Sequence, residues 1–152
     1  MQQVLSPDPG YCLIKRGGVR LFMDCYNAAA ESMESSFDSF ATIPVENGGR
    51  RIAVLADIKE TGKANAELHR KVGQYVLEHP IDMLFCFGES AGIIADEVRA
   101  AGTIPVYHTK DEAELEALLS ENITEADVVL FKGSRGMALE RFVDRIFGTW
   151  FY

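Results

Sequence analysis

The sequence contains no apolar stretch of about 20 residues, the length needed to cross a bilayer. Its N-terminus also lacks the basic and apolar regions of a signal peptide. Basic residues are outnumbered, with 15 lysines and arginines against 23 acidic residues and a net charge of -8. This charge would repel a phosphate backbone. We therefore expect no membrane span, no export and no nucleic-acid partner.

Cysteine is scarce, and the three thiols are odd in number and widely spaced. They are Cys12, Cys25 and Cys86, and two of them lie within apolar runs. This pattern is typical of buried thiols rather than of disulfides or zinc ligands. It favours a reducing compartment, so the expected location is the cytoplasm, and no metal site is expected.

The phosphate-binding loops of nucleotide-binding folds are missing as well. Gly62-Lys63-Ala64 lacks the preceding glycine and the following hydroxyl of a G-x-x-x-x-G-K-[ST] loop, and no G-x-G-x-x-G is present. The chain cannot hold a triphosphate or a dinucleotide by such a loop of its own. It must contribute to a site completed elsewhere, or bind something else.

The chain does have the material for one domain, since 47% of its 152 residues are apolar. Two β-prone runs around Arg16-Gly17-Gly18 predict a hairpin. Strand and helix patterns then alternate, and runs such as 52–55 and 128–131 are apolar at every position, as in a parallel sheet covered on both faces. We predict an α/β fold, a three-layer Rossmann-like sandwich of about six mostly parallel strands, with one antiparallel edge strand from the N-terminal hairpin.

The periodicity also gives the element bounds. Predicted strands are 11–15, 19–23, 51–57, 82–87, 104–107 and 127–132, and predicted helices are 31–41, 63–78, 91–101, 111–119 and 137–147. We interpret 1–152 as a single domain and 1–10 as its entrance segment. Because this segment has nothing upstream to attach to, we expect the chain to be a piece of a longer protein.

In an open parallel sheet, ligands bind at the carboxyl ends of the strands. Four clusters follow predicted strands and fall on that edge: 24–32, 57–62, 88–92 and 132–136. Asp24 can accept hydrogen bonds from a sugar diol, while Asn27 and Ser32 can donate and accept in the turn that follows. The same three residues also suit an ordinary turn with a helix cap.

Two cations mark the end of the last predicted strand. Lys132 and Arg135 flank Gly133 and Ser134 directly before the predicted helix that starts near Met137. Two cations and a helix N-terminus together favour an anionic ligand. The alternative is that both cations are solvated and that the glycines serve a plain strand-to-helix turn.

Gly88-Glu89-Ser90-Ala91-Gly92 has the G-x-S-x-G form of a hydrolase nucleophile elbow. That mechanism needs an acid and then a histidine later in the chain, but the only histidine after Ser90 is His108, eighteen positions on. The spacing therefore argues against an esterase. His69 and His79 have no second ligand at i+4, so we interpret them as surface or helix-end residues rather than as a metal pair.

Four segments, in order, resemble the C-terminal domain of the Mur ligase family, in its D-alanyl-D-alanine-adding branch. Asp24-Cys25-Tyr26-Asn27-Ala28 with Ser32-Met33 resembles D-S-Y-N-A-N-P-D-S-M, and 51–57 with Glu60 and Gly62 resembles R-I-A-V-L-G-D-M-x-E-L-G. His69 with Val72-Gly73 matches H-x-x-V-G, and 129–137 with Leu139-Glu140 matches V-L-V-K-G-S-R-x-M-x-x-E. Each motif alone is weak, but the ordered combination is specific.

The resemblance implies a three-domain enzyme whose central domain carries the phosphate loop and holds ATP and Mg²⁺. Such an enzyme activates the carboxylate of a UDP-N-acetylmuramoyl-tripeptide as an acyl phosphate, which the amine of D-alanyl-D-alanine attacks. The N-terminal and central domains would then be absent from this chain. The isolated domain would have no catalytic residue of its own and would be inactive.

Site roles also follow from the resemblance. Asp24, Tyr26 and Asn27 are implied to bind ATP and its ribose. The implied substrate-binding residues, facing the dipeptide or the acyl phosphate, are Ser32, Lys132, Ser134 and Arg135.

The chain departs from the family pattern in two places. Ala29-Ala30-Glu31 stands where the family has Asn-Pro-Asp, and Ala56 replaces a glycine. These changes affect the cleft and the choice of amine rather than the fold. One alternative is a related ligase of the superfamily that uses another amine or acceptor, against which the Lys132-Gly133-Ser134-Arg135 segment argues. The other is a free-standing Rossmann-like binding module.

Overall fold

The computed structural model describes residues 3–5, 11–16, 18–24, 30–45, 48–58 and 62–133, with backbone alone at 3–5, 11–16, 23–24 and 30–32. The predicted helix at 137–147 lies outside these residues. Within them are seven strands: β1 Gln3–Leu5, β2 Tyr11–Arg16, β3 Val19–Asp24, β4 Arg51–Ala56, β5 Met83–Phe87, β6 Val106–Thr109 and β7 Val128–Lys132. The α-helices of this part are α1 Ala30–Ala41, α2 Asn65–Glu78, α3 Ala91–Ala101 and α4 Glu112–Asn122, and a 3₁₀ turn, Gly62–Ala64, precedes α2.

The strands form one sheet in the order β1-β2-β3-β7-β4-β5-β6. All pairs from β3 to β6 along this order are parallel, whereas β2 is antiparallel to both β1 and β3. The predicted hairpin and the mostly parallel α/β class are confirmed. The predicted edge is wrong, because β1, from within the predicted entrance segment, pairs outside β2 and brings the described strands to seven.

Helices cover both faces of the sheet, as predicted. Residues of α1, α2 and α3 pack on one face, in a core that includes Phe37, Val76 and Ile94. The opposite face packs against Leu115 and Leu119 of α4. Alternate positions along the central strands supply the two cores, which is why these strands are apolar at every position. None of the helices in the described ranges is long and apolar enough to span a membrane.

One predicted boundary moves for a local reason. The fifth predicted strand, 104–107, is observed as β6, Val106–Thr109. Pro105 has no N–H to donate, and its carbonyl accepts a hydrogen bond from the Leu84 amide, so paired residues begin only at Val106. Its last residue, Thr109, pairs with Phe87 at the carboxyl end of β5.

Asp127 fastens the amino-terminal edge of the sheet. Its carboxylate is almost fully buried and accepts hydrogen bonds from the Arg50 backbone N–H at 3.0 Å, the Arg50 guanidinium at 2.9 Å and the Thr124 N–H at 2.9 Å. The Val128 amide next to it donates to the Arg50 carbonyl at 2.9 Å. These bonds fix where β4 and β7 start and therefore fix the register of their pairing. The register in turn decides which residues lie side by side at the carboxyl ends of the two strands.

His79 links the end of α2 to α1, and its predicted helix-end position is confirmed. Its Nδ1 lies 2.6 Å from the Tyr75 carbonyl oxygen and its Nε2 lies 2.8 Å from Asp38 Oδ1. Both ring nitrogens thus face acceptors, and only the imidazolium can donate to both. Burial lowers the pKa of His79, but the bonds to Asp38 and Tyr75 and the charges of Asp38 and Glu78 outweigh burial, so the pKa is raised above 6.5.

We expect the stabilising effect of Asp38 to depend on pH. A raised folded-state pKa means that the contribution of His79 is fully present below its unfolded pKa and is lost as the pH rises through the folded pKa. Asp38 is 67% exposed, so solvent screens the pair and Asp38→Asn should cost only about 0.5 kcal/mol at low pH. Urea unfolding of both proteins at about pH 5.5 and about pH 8 measures this. An equal cost at the two pH values would contradict the assignment.

Candidate functional site

The strand register brings the residues that end five strands to one edge of the sheet. Asp24 follows Met23, the partner of Phe131, and therefore stands at the register position of Lys132. Lys132 in turn pairs with Leu55 of β4. Beyond these, Ala56 pairs with Phe87 and Phe87 pairs with Thr109. The carboxyl ends of β3, β7, β4, β5 and β6 thus form a continuous rim, the location at which open parallel sheets bind ligands.

The predicted site residues fall on this rim to different extents. Asp24 ends β3 and Ser32 lies in the first turns of α1, both placed by backbone alone. Tyr26, Asn27, Ser134 and Arg135 lie outside the described residues. Their binding roles stay predictions.

Lys132 ends β7 and is 1% exposed. The alternative that this lysine is a solvated surface cation is therefore wrong. A buried ammonium needs hydrogen-bond or charge partners to offset the loss of water. Its depth indicates that Lys132 belongs to the inner wall of the rim rather than to the outer surface.

Asp57, directly after β4, fills the N-terminus of α3. It is 6% exposed, and its Oδ1 accepts a hydrogen bond from the Ala91 amide at 2.6 Å. Gly88 closes over this carboxylate at φ +116°, and a Cβ there would lie only 2.4 Å from Asp57 Oδ1. The anion position that a helix N-terminus offers is thus occupied by the protein's own carboxylate. A phosphate cannot use it.

The G-x-S-x-G segment lacks the geometry of a nucleophile elbow. Ser90 has ordinary right-handed backbone angles, φ -69° and ψ -28°, and its Oγ accepts a hydrogen bond from Asn65 Nδ2 at 3.0 Å. His108 uses Nε2 to donate to the Gly88 carbonyl at 2.8 Å. In the described ranges no hydrogen bond joins Ser90 to a histidine. The structure supports the sequence argument against an esterase.

His69 is fully buried, which corrects its interpretation as a surface or helix-end residue. Its Nε2 accepts a hydrogen bond from the Ile58 amide at 3.0 Å, and its Nδ1 donates to the Asn65 carbonyl at 2.7 Å. This pair of partners requires the neutral ring with its proton on Nδ1. The sequence did carry a signal, since His69 precedes the buried Val72 and Val76 by three and seven positions and so shares their helix face.

The remaining reactive groups near the rim are inert or unclustered. Cys86 is a buried free thiol in β5, as predicted, and burial raises its pKa far above the usual range. Across the described ranges, no three His, Cys, Asp or Glu side chains come together as metal ligands.

Gly133, directly after β7, lies close to Ala56 at the end of β4. A Cβ at this position would lie 2.6 Å from the Ala56 Cβ and 3.2 Å from the Ala56 Cα. Ala56 is the residue that replaces the family's glycine. The two positions therefore share one small space, and the methyl of Ala56 fits because residue 133 has no side chain.

A mostly parallel α/β sheet, covered by helices on both faces and with polar residues at its carboxyl rim, places the chain in the class of three-layer α/β domains. Residues 12–135 match the sequence model of the family described as "Mur ligase, glutamate ligase domain". The chain belongs to this family.

Individual relatives agree with this membership. The UDP-N-acetylmuramoyl-tripeptide--D-alanyl-D-alanine ligase of Bacillus subtilis is 31% identical over 127 residues, which are 83% of this chain and 27% of that protein. The enzyme of the same name from Synechocystis is 32% identical over 128 residues, which are 84% of this chain and 27% of that protein. The chain thus spans 27% of the length of each.

The fold is also similar to solved structures. The MurF ligase from Thermotoga maritima in complex with ADP superposes with a TM-score of 0.71 at 24% identity, covering 93% of this chain and 31% of that one. A MurF structure from Acinetobacter baumannii gives a TM-score of 0.70 at 23% identity, covering 93% and 30%. The fold class predicted from the sequence is confirmed.

Gly133 and Ala56 give a prediction that a double-mutant cycle tests. Gly133→Ala should destabilise the chain by about 1–3 kcal/mol, because the added methyl overlaps Ala56. Combining it with Ala56→Gly removes the 2.6 Å overlap and leaves a 3.2 Å contact to the Ala56 Cα, so part of the stability should return. Urea unfolding of the four proteins gives the coupling energy. Additive costs would show that the two positions do not share this space.

Proposed function

We propose that this chain is the C-terminal domain of an ATP-dependent ligase that joins D-alanyl-D-alanine to UDP-N-acetylmuramoyl-tripeptide. The whole chain, 1–152, acts as one domain and needs an N-terminal and a central domain beside it. The observation that carries this proposal is the family match over 12–135 together with 31% identity to a ligase of that name.

The structure supports a domain that does not hold the phosphates of ATP itself. The only anion position built by α3 is filled by Asp57, and the sequence has no phosphate loop. Nor do the described residues bring three metal-ligating side chains together. The triphosphate and Mg²⁺ therefore belong to the central domain. There the γ-phosphoryl group of ATP would pass to the tripeptide carboxylate with ADP as the leaving group, and Mg²⁺ would offset the phosphate charge, while the carboxyl rim of this domain would face the bound substrates.

The rim residues divide into two groups in this proposal. Asp24, with Tyr26 and Asn27, binds the ATP ribose, since a carboxylate can accept both hydroxyl protons of a diol. The dipeptide carboxylate or the acyl phosphate faces the second group, Ser32, Lys132, Ser134 and Arg135. Arginine can grip a carboxylate with two parallel hydrogen bonds, whereas lysine acts as a point charge.

The cytoplasm is the compartment we propose for this reaction. A buried cysteine that stays a free thiol fits a reducing environment, and ATP is the energy source of the proposed reaction. The partners are small molecules and the other domains of the same protein.

A chimeric enzyme tests the proposed function. The Bacillus subtilis relative, with the matching 27% of its length replaced by this chain, should form the amide bond from Mg²⁺-ATP, the UDP-linked tripeptide and D-alanyl-D-alanine. The truncated relative and the isolated chain are the controls, and neither should turn over because transition-state charge is not stabilised without the phosphate loop and metal. Magnesium-dependent phosphate release by the pure chain, or a chimera that prefers another amine, would contradict the proposal.

Two substitutions in that ligase separate the nucleotide group from the substrate group. Asp24→Ala should raise the KM for ATP by about 10- to 100-fold, the loss expected for hydrogen bonds to a charged group. Arg135→Lys should lower kcat/KM for the dipeptide more than for ATP. The two parallel hydrogen bonds of arginine to a carboxylate are lost in this variant, while the positive charge is kept. Steady-state kinetics with each substrate varied in turn decide both assignments. If Arg135→Lys changed only the ATP parameters, Arg135 would belong to the nucleotide group.

A further inference from the structure

Four hydrogen bonds, linked to one another through the chain itself, form a closed ring at the carboxyl end of β4. Ile58 donates to His69, and His69 donates to the Asn65 carbonyl. The Asn65 side chain donates to Ser90 Oγ at 3.0 Å. The next amide, that of Ala91, donates to Asp57, which directly precedes Ile58 and so completes the ring. We call the six residues Ile58, His69, Asn65, Ser90, Ala91 and Asp57 the β4 ring.

The β4 ring ties three elements together at one point. It joins the end of β4 to the first turn of α2 through His69 and to the first turn of α3 through Asp57. His69 is 0% exposed, so bulk water does not reach its bond to the Ile58 amide. Removing that acceptor would leave a buried N–H without a partner, which the strand end can relieve only by moving.

The carboxyl end of β4, which the β4 ring holds, also contacts Lys132 and the residue after it. Lys132 pairs with Leu55, and Gly133 packs directly on Ala56. A shift of β4 at this end is therefore transmitted to the backbone at the end of β7. The opposite end of β7 is held separately, through the Val128 amide and the Arg50 carbonyl.

We infer that His69 is a positioning residue for the ligand rim: its neutral, Nδ1-protonated ring holds the end of β4 and thereby sets the position of Lys132. His69 itself contacts neither ATP nor the substrates. It acts through Ile58 and the β4–β7 pairing. The consequence for catalysis rests on the proposed function, whereas the consequence for the rim does not.

Hydrogen exchange in this chain tests the structural part without any need for activity. His69→Phe keeps a flat ring but removes the acceptor, so the amides of Ile58 and Lys132 should exchange about tenfold faster while Val128 keeps its protection. His69→Gln places an oxygen near the former Nε2 and should restore most of the protection of both. His79→Asn, at the other end of the same helix, is the matched control and should leave Ile58 and Lys132 unchanged. Faster exchange at Ile58 without a change at Lys132, or equal loss at Val128, overturns the inference.

Kinetics in the chimeric ligase test the positioning role. His69→Phe should raise the KM for ATP and for the dipeptide at least about fivefold and leave the KM for the UDP-linked tripeptide within about twofold, because only ligands at this rim are affected. A merely structural defect would lower the amount of active enzyme and kcat without moving any KM. If His69→Phe does not fold, His69→Gln decides, and a folded Gln variant with an unprotected Ile58 but wild-type KM values overturns the inference. An inactive unsubstituted chimera would contradict the proposed function alone, since exchange still decides the role of His69.

Discussion

The buried carboxylate of Asp57 is the group on which the ligand rim depends. It sits at the end of β4 and bonds to the first amide of α3, so one side chain joins the middle of the sheet to the helix that follows the next strand. A charged acceptor at a helix N-terminus is favoured by the helix dipole. Gly88 leaves just enough room for it. The bond from Ala91 to Asp57 therefore fixes the end of β4 relative to the start of α3 and to the turn that precedes it.

This interaction also occupies the anion position at the N-terminus of α3. A helix N-terminus after a parallel strand is the usual location for a phosphate, and here that location is closed from within. Gly88 packs against the carboxylate, and Ser90 accepts a hydrogen bond from Asn65 rather than forming a reactive elbow. The helix N-terminus and the G-x-S-x-G segment therefore both have structural roles in this turn. Asp24 and Lys132 share a register position at the ends of β3 and β7, and their ligand-binding roles stay predictions.

The sequence predicts most of the fold because the periodicity of apolar residues agrees with the residues that start and end each helix or strand. The bounds of α3 match residue for residue, since the helix starts after the 88–90 turn and ends at Gly102 in the left-handed conformation. β6 was misplaced by two residues because apolar character at Ile104 outweighed the missing N–H of Pro105. β1 was missed because three residues carry no usable alternation. Such a strand is defined by its partner, not by its own pattern.

The site is less predictable than the fold because the roles of its key side chains depend on how deeply each is buried. Lys132 looks like any cation after a strand, and only its neighbours in β4 and β3 make it a buried one. His69 follows the same logic: without a second ligand at i+4 it is interpreted as a surface or helix-end residue, whereas the periodicity of Val72 and Val76 places it in the core. Burial removes water as an alternative partner, so every polar group at the rim needs a specific protein or ligand partner. On the β4 side of the rim, His69 and Asp57 supply two such partners, to the Ile58 and Ala91 amides.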